Sequence, residues 1–453
     1  MIDFREKDMS ERSSALALAF LYALAGIITR NGSVFVTALF FFAVAVVLFF
    51  SAQKDRKFLA VLFMIAFLVR VGSAYLIHVH SYKAGFEGFI SGDDRLHTLK
   101  AIKLASQWMH VPYNTLCDGS GEVHGVNPFT YLLAVLFRFF EPNYFASKMI
   151  NCLIGSLSPL FVYLLARLLF SSRIAKTAFA ISCFYPSNVM WSLSNLRDPA
   201  IVLLTLVILY LIIGSAGSRN YRGAKFFGIV VMLYFLKNLQ IIIFLAFMGA
   251  FAAYLLYRIF KILGIKLTGI FVCVFYIIYS IFDYASMIKP IIIKYIMIMI
   301  NRTVALVVTG ESGYSIYDSN VINHIRMSIV SLRDMVTMYI KGISYFLFSP
   351  FPWVPLSGNQ LVSLPQVVAW YFLIIFAFLG FFQGLKSSLR KNIFILIFLI
   401  VGISIFSIGE GNIGTAFRHR DNFSLIVLIY SAAGLVSFFC KEDEASKTDG
   451  RHI

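Results

Sequence analysis

Charge is what this chain most lacks. Of its 453 residues only 13% are Asp, Glu, Lys or Arg, 59% are hydrophobic, and the mean hydropathy is +0.82. That balance excludes a soluble domain. Acidic residues are the scarcer sign, 22 against 39 basic ones, giving a net charge of +17. Cysteine is sparse as well. Of five, Cys152, Cys183 and Cys273 fall in expected helices, Cys440 lies near one membrane face, and Cys117 stands alone in a loop on the other. A lone outer cysteine excludes an intramolecular disulfide framework there. The sequence shows no fixed-period repeat, and its halves do not match as an inverted pair, which weighs against a transporter.

What it does have is a series of apolar runs. A spanning helix needs roughly 20 apolar residues, because hydrocarbon satisfies none of its backbone polar groups. Such segments lie near 14–29, 34–52, 58–78, 145–170, 174–192, 199–216, 226–237, 240–258, 267–283, 366–385, 392–409 and 421–440. The run 226–237 is too short to span unaided and is expected to form a hairpin with 240–258, bent at Lys237-Asn238-Leu239-Gln240. Runs 128–140 and 290–308 carry Arg138, Lys294 and Arg302, and are expected to lie along the outer face. The expectation is an all-α polytopic membrane protein with about 12 transmembrane helices and amphipathic helices on its outer face. Its parts are a tail and hairpin (1–57), a core (58–283) with a large outer loop (79–127), an outer segment (284–364), C-terminal spans (365–440) and a tail (441–453).

Basic residues orient the chain, since cytoplasmic loops are enriched in Lys and Arg. With the N-terminus inside, inner loops and tails carry three each, among them Lys54, Arg56 and Lys57, Arg258, Lys261 and Lys266, and Lys386, Arg390 and Lys391. Short outer turns hold Arg30, Arg197 and Lys237 singly. The net charge is therefore mostly topology and inner-leaflet attraction, and no nucleic-acid partner is expected. Both termini are expected in the cytoplasm, in a bacterial inner membrane, with the first helix uncleaved.

Four outer elements collect the unusual polar residues. The first is Ser91-Gly92-Asp93-Asp94-Arg95-Leu96-His97, opening the loop 79–127 and starting an amphipathic helix over 94–109. An Asp at a helix start is ordinarily a cap. Only one carboxylate is needed for that, and neighbouring like charges disfavour joint ionisation, so the pair with His97 suggests a general base or a Mg²⁺ or Mn²⁺ site. The loop ends in a glycine-rich stretch, 117–127, most simply an exposed connection. The second element is Ser194-Asn195-Leu196-Arg197-Asp198-Pro199, where Asp198 is either a turn and helix-start residue or part of the same cation site. The third, 284–364, contains Gly310-Glu311-Ser312-Gly313-Tyr314, His324 and Arg326, and ends in Pro350-Phe351-Pro352-Trp353, a re-entrant or interfacial corner serving as an anchor belt or a lipid-chain groove. The fourth, Gly409 to Arg420, sets Arg418, His419 and Arg420 after three glycines. They suit a phosphate cradle, or the two arginines form a salt bridge to Glu410 or Asp421.

In this order the elements resemble the GT-C glycosyltransferases, multi-span enzymes that use polyprenyl-phosphate sugars, in the protein-mannosyltransferase and aminoarabinose-transferase-like clan. The likeness rests on Gly92-Asp93-Asp94, on Asn127-Pro128-Phe129-Thr130-Tyr131-Leu132-Leu133, on Ser194 to Asp198, and on Pro350 to Trp353 with Gly411 to Thr415 and Arg418 to Arg420. It spans roughly residues 58–440. An Asp-Asp pair stands where the clan usually has Asp-Glu, three spans precede the loop instead of one, and a doubled proline is reduced to Pro128.

The resemblance implies transfer of a sugar from a polyprenyl-phosphate or pyrophosphate donor to an acceptor glycan, lipid or protein outside the cytoplasm. Asp93 would be the general base and Asp94 would assist it. Asp94, His97 and Asp198 would hold a divalent cation if one is used. Arg418, His419 and Arg420 would bind the donor phosphate, and Pro350, Phe351, Pro352, Trp353 and Asn412 would border the lipid groove. Two other readings stand beside it. A polysaccharide polymerase or ligase would rely on outer arginines and histidines without Asp93. A lipid-linked sugar transporter or flippase would place ionisable residues mid-bilayer, where Arg70 is the clearest example.

Overall fold

The computed structural model describes residues 2–50, 54–109, 125–140, 142–215, 222–264, 315–317, 332–354 and 358–439. The expected segments at 267–283 and 290–308, the stretch Gly310 to Tyr314, and most of the glycine-rich tail of the first loop lie outside them. Among the described residues every regular element is a helix, with one isolated antiparallel bridge between Ser315 and Asn412. Seven helices there are long and apolar enough to cross a membrane. The chain divides into two compact units, Met1–Leu239 and Gln240–Ile453.

The first unit comprises α1 (Ile2–Thr29), α2 (Gly32–Phe50), α3 (Arg56–Lys83), α4 (Gly92–Met109), α5 (Pro128–Phe139), α6 (Tyr144–Leu169), α7 (Ser172–Cys183), α8 (Pro186–Ser192), α9 (Asp198–Ser215) and α10 (Arg222–Leu239). Asparagines start several of them. The Asn31 side chain accepts from Ser33 N at 3.0 Å, Asn127 from Thr130 N at 3.0 Å, and Asn143 from Phe145 N at 2.9 Å and Ala146 N at 3.0 Å. Each satisfies amide groups that a helix start leaves without partners. After Asn127, Pro128 occupies the first turn of α5, where a missing N–H is harmless.

Helix α6 is the centre of this unit, carrying small and polar residues that let neighbours approach closely. A Cβ on Gly155 would come within 2.5 Å of Ser192 Cβ. The segment expected to span at 174–192 is not one continuous helix. Tyr185, preceding Pro186, adopts extended geometry (φ −62°, ψ 116°), as a residue before proline prefers. The segment is therefore two helices of 12 and 7 residues, and the second rises only about 10 Å. The break frees the Cys183 carbonyl, which accepts from Arg70 Nη1 at 2.8 Å, while Ala66 O accepts from the same nitrogen at 3.1 Å.

At the other end of α6, Asp55 is fully buried ahead of α3. Tyr163 and Ser172 hydroxyls donate to its Oδ2 at 2.6 and 2.7 Å, and Lys176 Nζ lies 2.5 Å from Oδ1. Burial opposes its ionisation, but these hydrogen bonds and the Lys176 charge outweigh it and hold the carboxyl down to about 2.

The second unit comprises α11 (Ile241–Ile262), α12 (Leu332–Phe348), α13 (Gly358–Gly409) and α14 (Ile413–Phe439) among its described residues. A straight helix of 52 residues would run about 78 Å, more than twice the hydrocarbon thickness. Ser388 (φ −159°, ψ 82°) breaks it into the two arms expected from the sequence. Asn392 Nδ2 donates to Gly384 O at 2.8 Å and Ser388 O at 2.9 Å across the break, and Tyr430 OH donates to Asn392 Oδ1 at 2.9 Å. Helices α13 and α14 meet through glycines: a Cβ on Gly380 would lie 1.9 Å from Tyr430 O, and one on Gly434 2.0 Å from Phe376 O.

Candidate active site

The first unit treats the two neighbouring aspartates differently. Ser91 Oγ accepts from Asp94 N at 3.2 Å, and the Asp94 carboxylate reaches back so that Oδ2 accepts from Ile90 N at 3.0 Å. This reciprocal arrangement is close to a capping box. Oδ1 accepts from Asn195 N at 2.9 Å, and Lys148 Nζ on α6 lies 3.4 Å from Oδ2, with both side chains fully buried. Lys148 also donates to the Gly88 carbonyl. Gly88 itself must be glycine, since its φ is +86° and a Cβ would come within 2.3 Å of the His78 ring. Asp93, one residue earlier, is exposed. The pair is thus split into an internal clamp and a carboxylate at the surface of the helix start.

Asn195 completes the clamp. Its Nδ2 donates to Thr98 Oγ1 at 2.7 Å and Ser147 Oγ at 2.8 Å, and Asn151 Nδ2 donates to the carbonyls of Ser194 and, at 2.9 Å, Leu196. The first two outer elements are therefore joined, through the main chain of Asn195. Asp198, at the start of α9, is 5% exposed. The residue a turn after Asp94 that shares its surroundings is Thr98. His97 turns instead toward α5, its Nδ1 3.4 Å from Thr130 Oγ1 and its ring edge-on to Phe129 at 6.2 Å.

The cation set Asp94, His97 and Asp198 finds no support in this geometry. Asp94 already accepts two amide bonds and faces an ammonium group, a donor set that does not fit Mg²⁺ or Mn²⁺. Among the described residues no group of three or more His, Cys, Asp or Glu is placed to hold a metal ion.

In the second unit the basic triplet is likewise divided. Arg420 is 1% exposed; its Nη1 donates to Leu347 O and Ser349 O, each at 2.9 Å, and its guanidinium stacks over Trp370 (5.3 Å) and Phe417 (4.8 Å). His419 Nδ1 lies within hydrogen-bond distance of Glu410 Oε1, at 2.6 Å. Burial first, and then the Glu410 carboxylate, push the Tyr317 phenol up to about 12, leaving it a neutral donor to Met338 O at 3.2 Å. Arg418 is half-buried. Asn412, expected at the lipid groove, caps α14 instead: its Oδ1 accepts from Gly414 N at 2.8 Å and Thr415 N at 3.4 Å.

Helices α12, α13 and α14 enclose an apolar cavity of about 410 Å³, lined among others by Tyr339, Leu347, Trp370, Phe378, Phe381 and Ile403. Pro350, Phe351, Pro352 and Trp353 do not line it. Trp353 is 74% exposed, as an interfacial anchor would be, and Phe351 packs edge-on against Tyr345 at 5.0 Å. Arg420 braces the cavity wall from behind, since Leu347 and Trp370 both line the cavity and contact the guanidinium.

Sequence reasoning missed Lys148 and Asn195. A lysine inside the apolar run 145–170 was a usable signal, because a membrane lysine needs a partner. Nothing in the sequence marks the Asn195 main chain as that carboxylate's second partner.

No protein-family model matches the sequence, and no curated protein matches it. A solved structure with a similar arrangement is the archaeal oligosaccharyltransferase AglB from Archaeoglobus fulgidus, in complex with an inhibitory peptide and a dolichol-phosphate, at 14% identity and a TM-score of 0.45. The match covers 88% of this chain and 52% of that one, so the chain spans about half the length of this neighbour.

Proposed function

We propose that this chain is an integral-membrane glycosyltransferase of the GT-C type. It moves a sugar from a polyprenyl-phosphate or pyrophosphate donor to an acceptor glycan, lipid or protein on the extracytoplasmic face, in building the cell envelope. The observation that carries the reading is the division of the aspartate pair. Asp94, Lys148 and Asn195 form a buried clamp that fixes the start of α4, and this fixes the backbone of the exposed Asp93. A carboxylate on a rigid helix start is what a positioned general base requires.

In the reaction Asp93 takes the proton of the acceptor hydroxyl as its oxygen attacks the anomeric carbon. The bond from that carbon to the donor phosphate oxygen breaks, and its electron pair leaves with the phosphate. Attack opposite the departing group inverts the anomeric centre. The phosphate charge is assigned to the Arg418–Arg420 stretch, where His419 lies beside Glu410 and Arg420 donates to the Leu347 and Ser349 carbonyls. The apolar cavity has the lining an isoprenoid chain needs, in place of the proline-aromatic corner. No step uses Mg²⁺ or Mn²⁺, because two of the three expected ligands are turned elsewhere. The reading is supported by the motif order and by these geometries.

The test is release of polyprenyl phosphate from native lipid-linked sugars in proteoliposomes. Asp93→Asn is expected to abolish release while the protein still folds and retains donor, and EDTA is expected to leave release intact. Full turnover by Asp93→Asn would remove the base assignment. The transporter reading keeps Arg70 as its candidate: Nη1 donates to the Ala66 and Cys183 carbonyls, while Nε and Nη2 are buried without a hydrogen-bond partner among the described residues.

A further inference from the structure

The end of α11 carries cations and aromatic rings that the proposed reaction does not use. Tyr254, Tyr257, Arg258 and Lys261 on α11, with Leu389 and Arg390 just past the Ser388 break in α13, line a cleft of about 440 Å³. Arg258, Lys261 and Arg390 are exposed, and among the described residues no carboxylate pairs with any of them. Tyr254 packs edge-on against Phe394 at 5.7 Å and lies 6.2 Å from Tyr257. An apolar groove of about 550 Å³, lined by Phe251, Leu255 and Ile259, shares Tyr254, Arg258 and Ile262 with the cleft.

Like charges gathered at one cleft repel, and a bound anion relieves that repulsion. The topology rule accounts for basic residues near this end of the helices. It does not account for three of them converging with two tyrosines at the head of an apolar groove. A charged compartment continuous with an apolar one, at the level where a membrane helix ends, has the two-part chemistry of a phospholipid. We propose that this cleft binds the headgroup of an anionic phospholipid, with an acyl chain lying in the groove along α11. The lipid fastens α11 to the corner of α13. The basic loops place this end at the cytoplasmic leaflet, where anionic lipids attract juxtamembrane cations.

The purified full chain in detergent, titrated with phosphatidylglycerol, phosphatidylcholine or inorganic phosphate and read by native mass spectrometry, tests this. The wild type is expected to prefer phosphatidylglycerol over phosphatidylcholine. The variant R258Q/K261Q/R390Q is expected to bind phosphatidylglycerol about a hundredfold more weakly, given the strength of each basic residue's attraction to an anionic membrane surface. The charge-retaining R258K/R390K should keep most of the affinity. If the triple variant does not fold, R390Q alone is read, for a loss of about fivefold. Equal binding of the two lipids, or unchanged affinity in the neutral variants, overturns the proposal. So does inorganic phosphate displacing phosphatidylglycerol at equal concentration, because the groove would then contribute nothing.

Discussion

The Asp93-Asp94 pair of the first unit and the Arg418–Arg420 triplet of the second solve the same difficulty in different ways. Each places like charges side by side in a largely apolar chain, and each withdraws one of them completely into the packing. Asp94 is neutralised by a counter-charge, Lys148, with two main-chain amides completing its oxygens. Arg420 donates to two carbonyls and lies over two aromatic faces. The first clamp uses charge balance, and the second uses the planar fork of a guanidinium. In both, a neighbour stays nearer the surface: Asp93 is exposed and Arg418 half-buried.

The largest effect is expected from Asp93→Asn, which should lower turnover by about 10²- to 10⁴-fold with no change in unfolding temperature, measured in parallel. A matching fall in stability would show that Asp93 belongs to the packing too. Next, Lys148→Ala leaves a buried carboxylate without its counter-charge and should destabilise the protein by about 3–5 kcal/mol in denaturant unfolding. Combining Lys148→Met with Asp94→Asn should recover part of that loss. Additive losses would mean that the charges do not act as a pair.

Asp55 sharpens the view of charge-balanced clamps, because its pH window is defined. Its carboxyl is lowered from 3.8 to about 2 in the folded protein, so its contribution is fully present above about pH 4 and disappears as pH falls through 2. Asp55→Asn should remove about 2 kcal/mol near neutral pH and flatten this acid limb. An unaltered acid limb would contradict the assignment. The smallest effect is expected from Arg420→Lys, about 1–2 kcal/mol, because an ammonium cannot reproduce the fork and both ring faces together. A neutral result would reduce Arg420 to a point charge.

Much of the helical layout was readable from apolar runs alone. The two arms of α13 and the starts of α5 and α6 fall where the sequence places them, because run length and Asn or Pro signals are local. The break before Pro186 was also local, yet the hydrophobicity of 174–192 concealed it. The site was less legible. That Asp93 and Asp94 open a helix could be read, but not which of them turns inward. That choice is made by Lys148 and by the Asn195 amide, 54 and 101 residues further along the chain. In the same way Arg420 and Asn412 looked like ligand-binding residues, because their carbonyl and amide partners are main-chain atoms that no side-chain pattern announces.

The division of the aspartate pair is tested most directly by thiol labelling, which needs no knowledge of the sugar. Asp93→Cys and Asp94→Cys are each introduced into a Cys117→Ser background and exposed to a membrane-impermeant maleimide in folded protein. Position 93 is expected to label rapidly, and position 94 to stay protected until the protein unfolds. Equal labelling at both positions, or labelling of 94 alone, would contradict it.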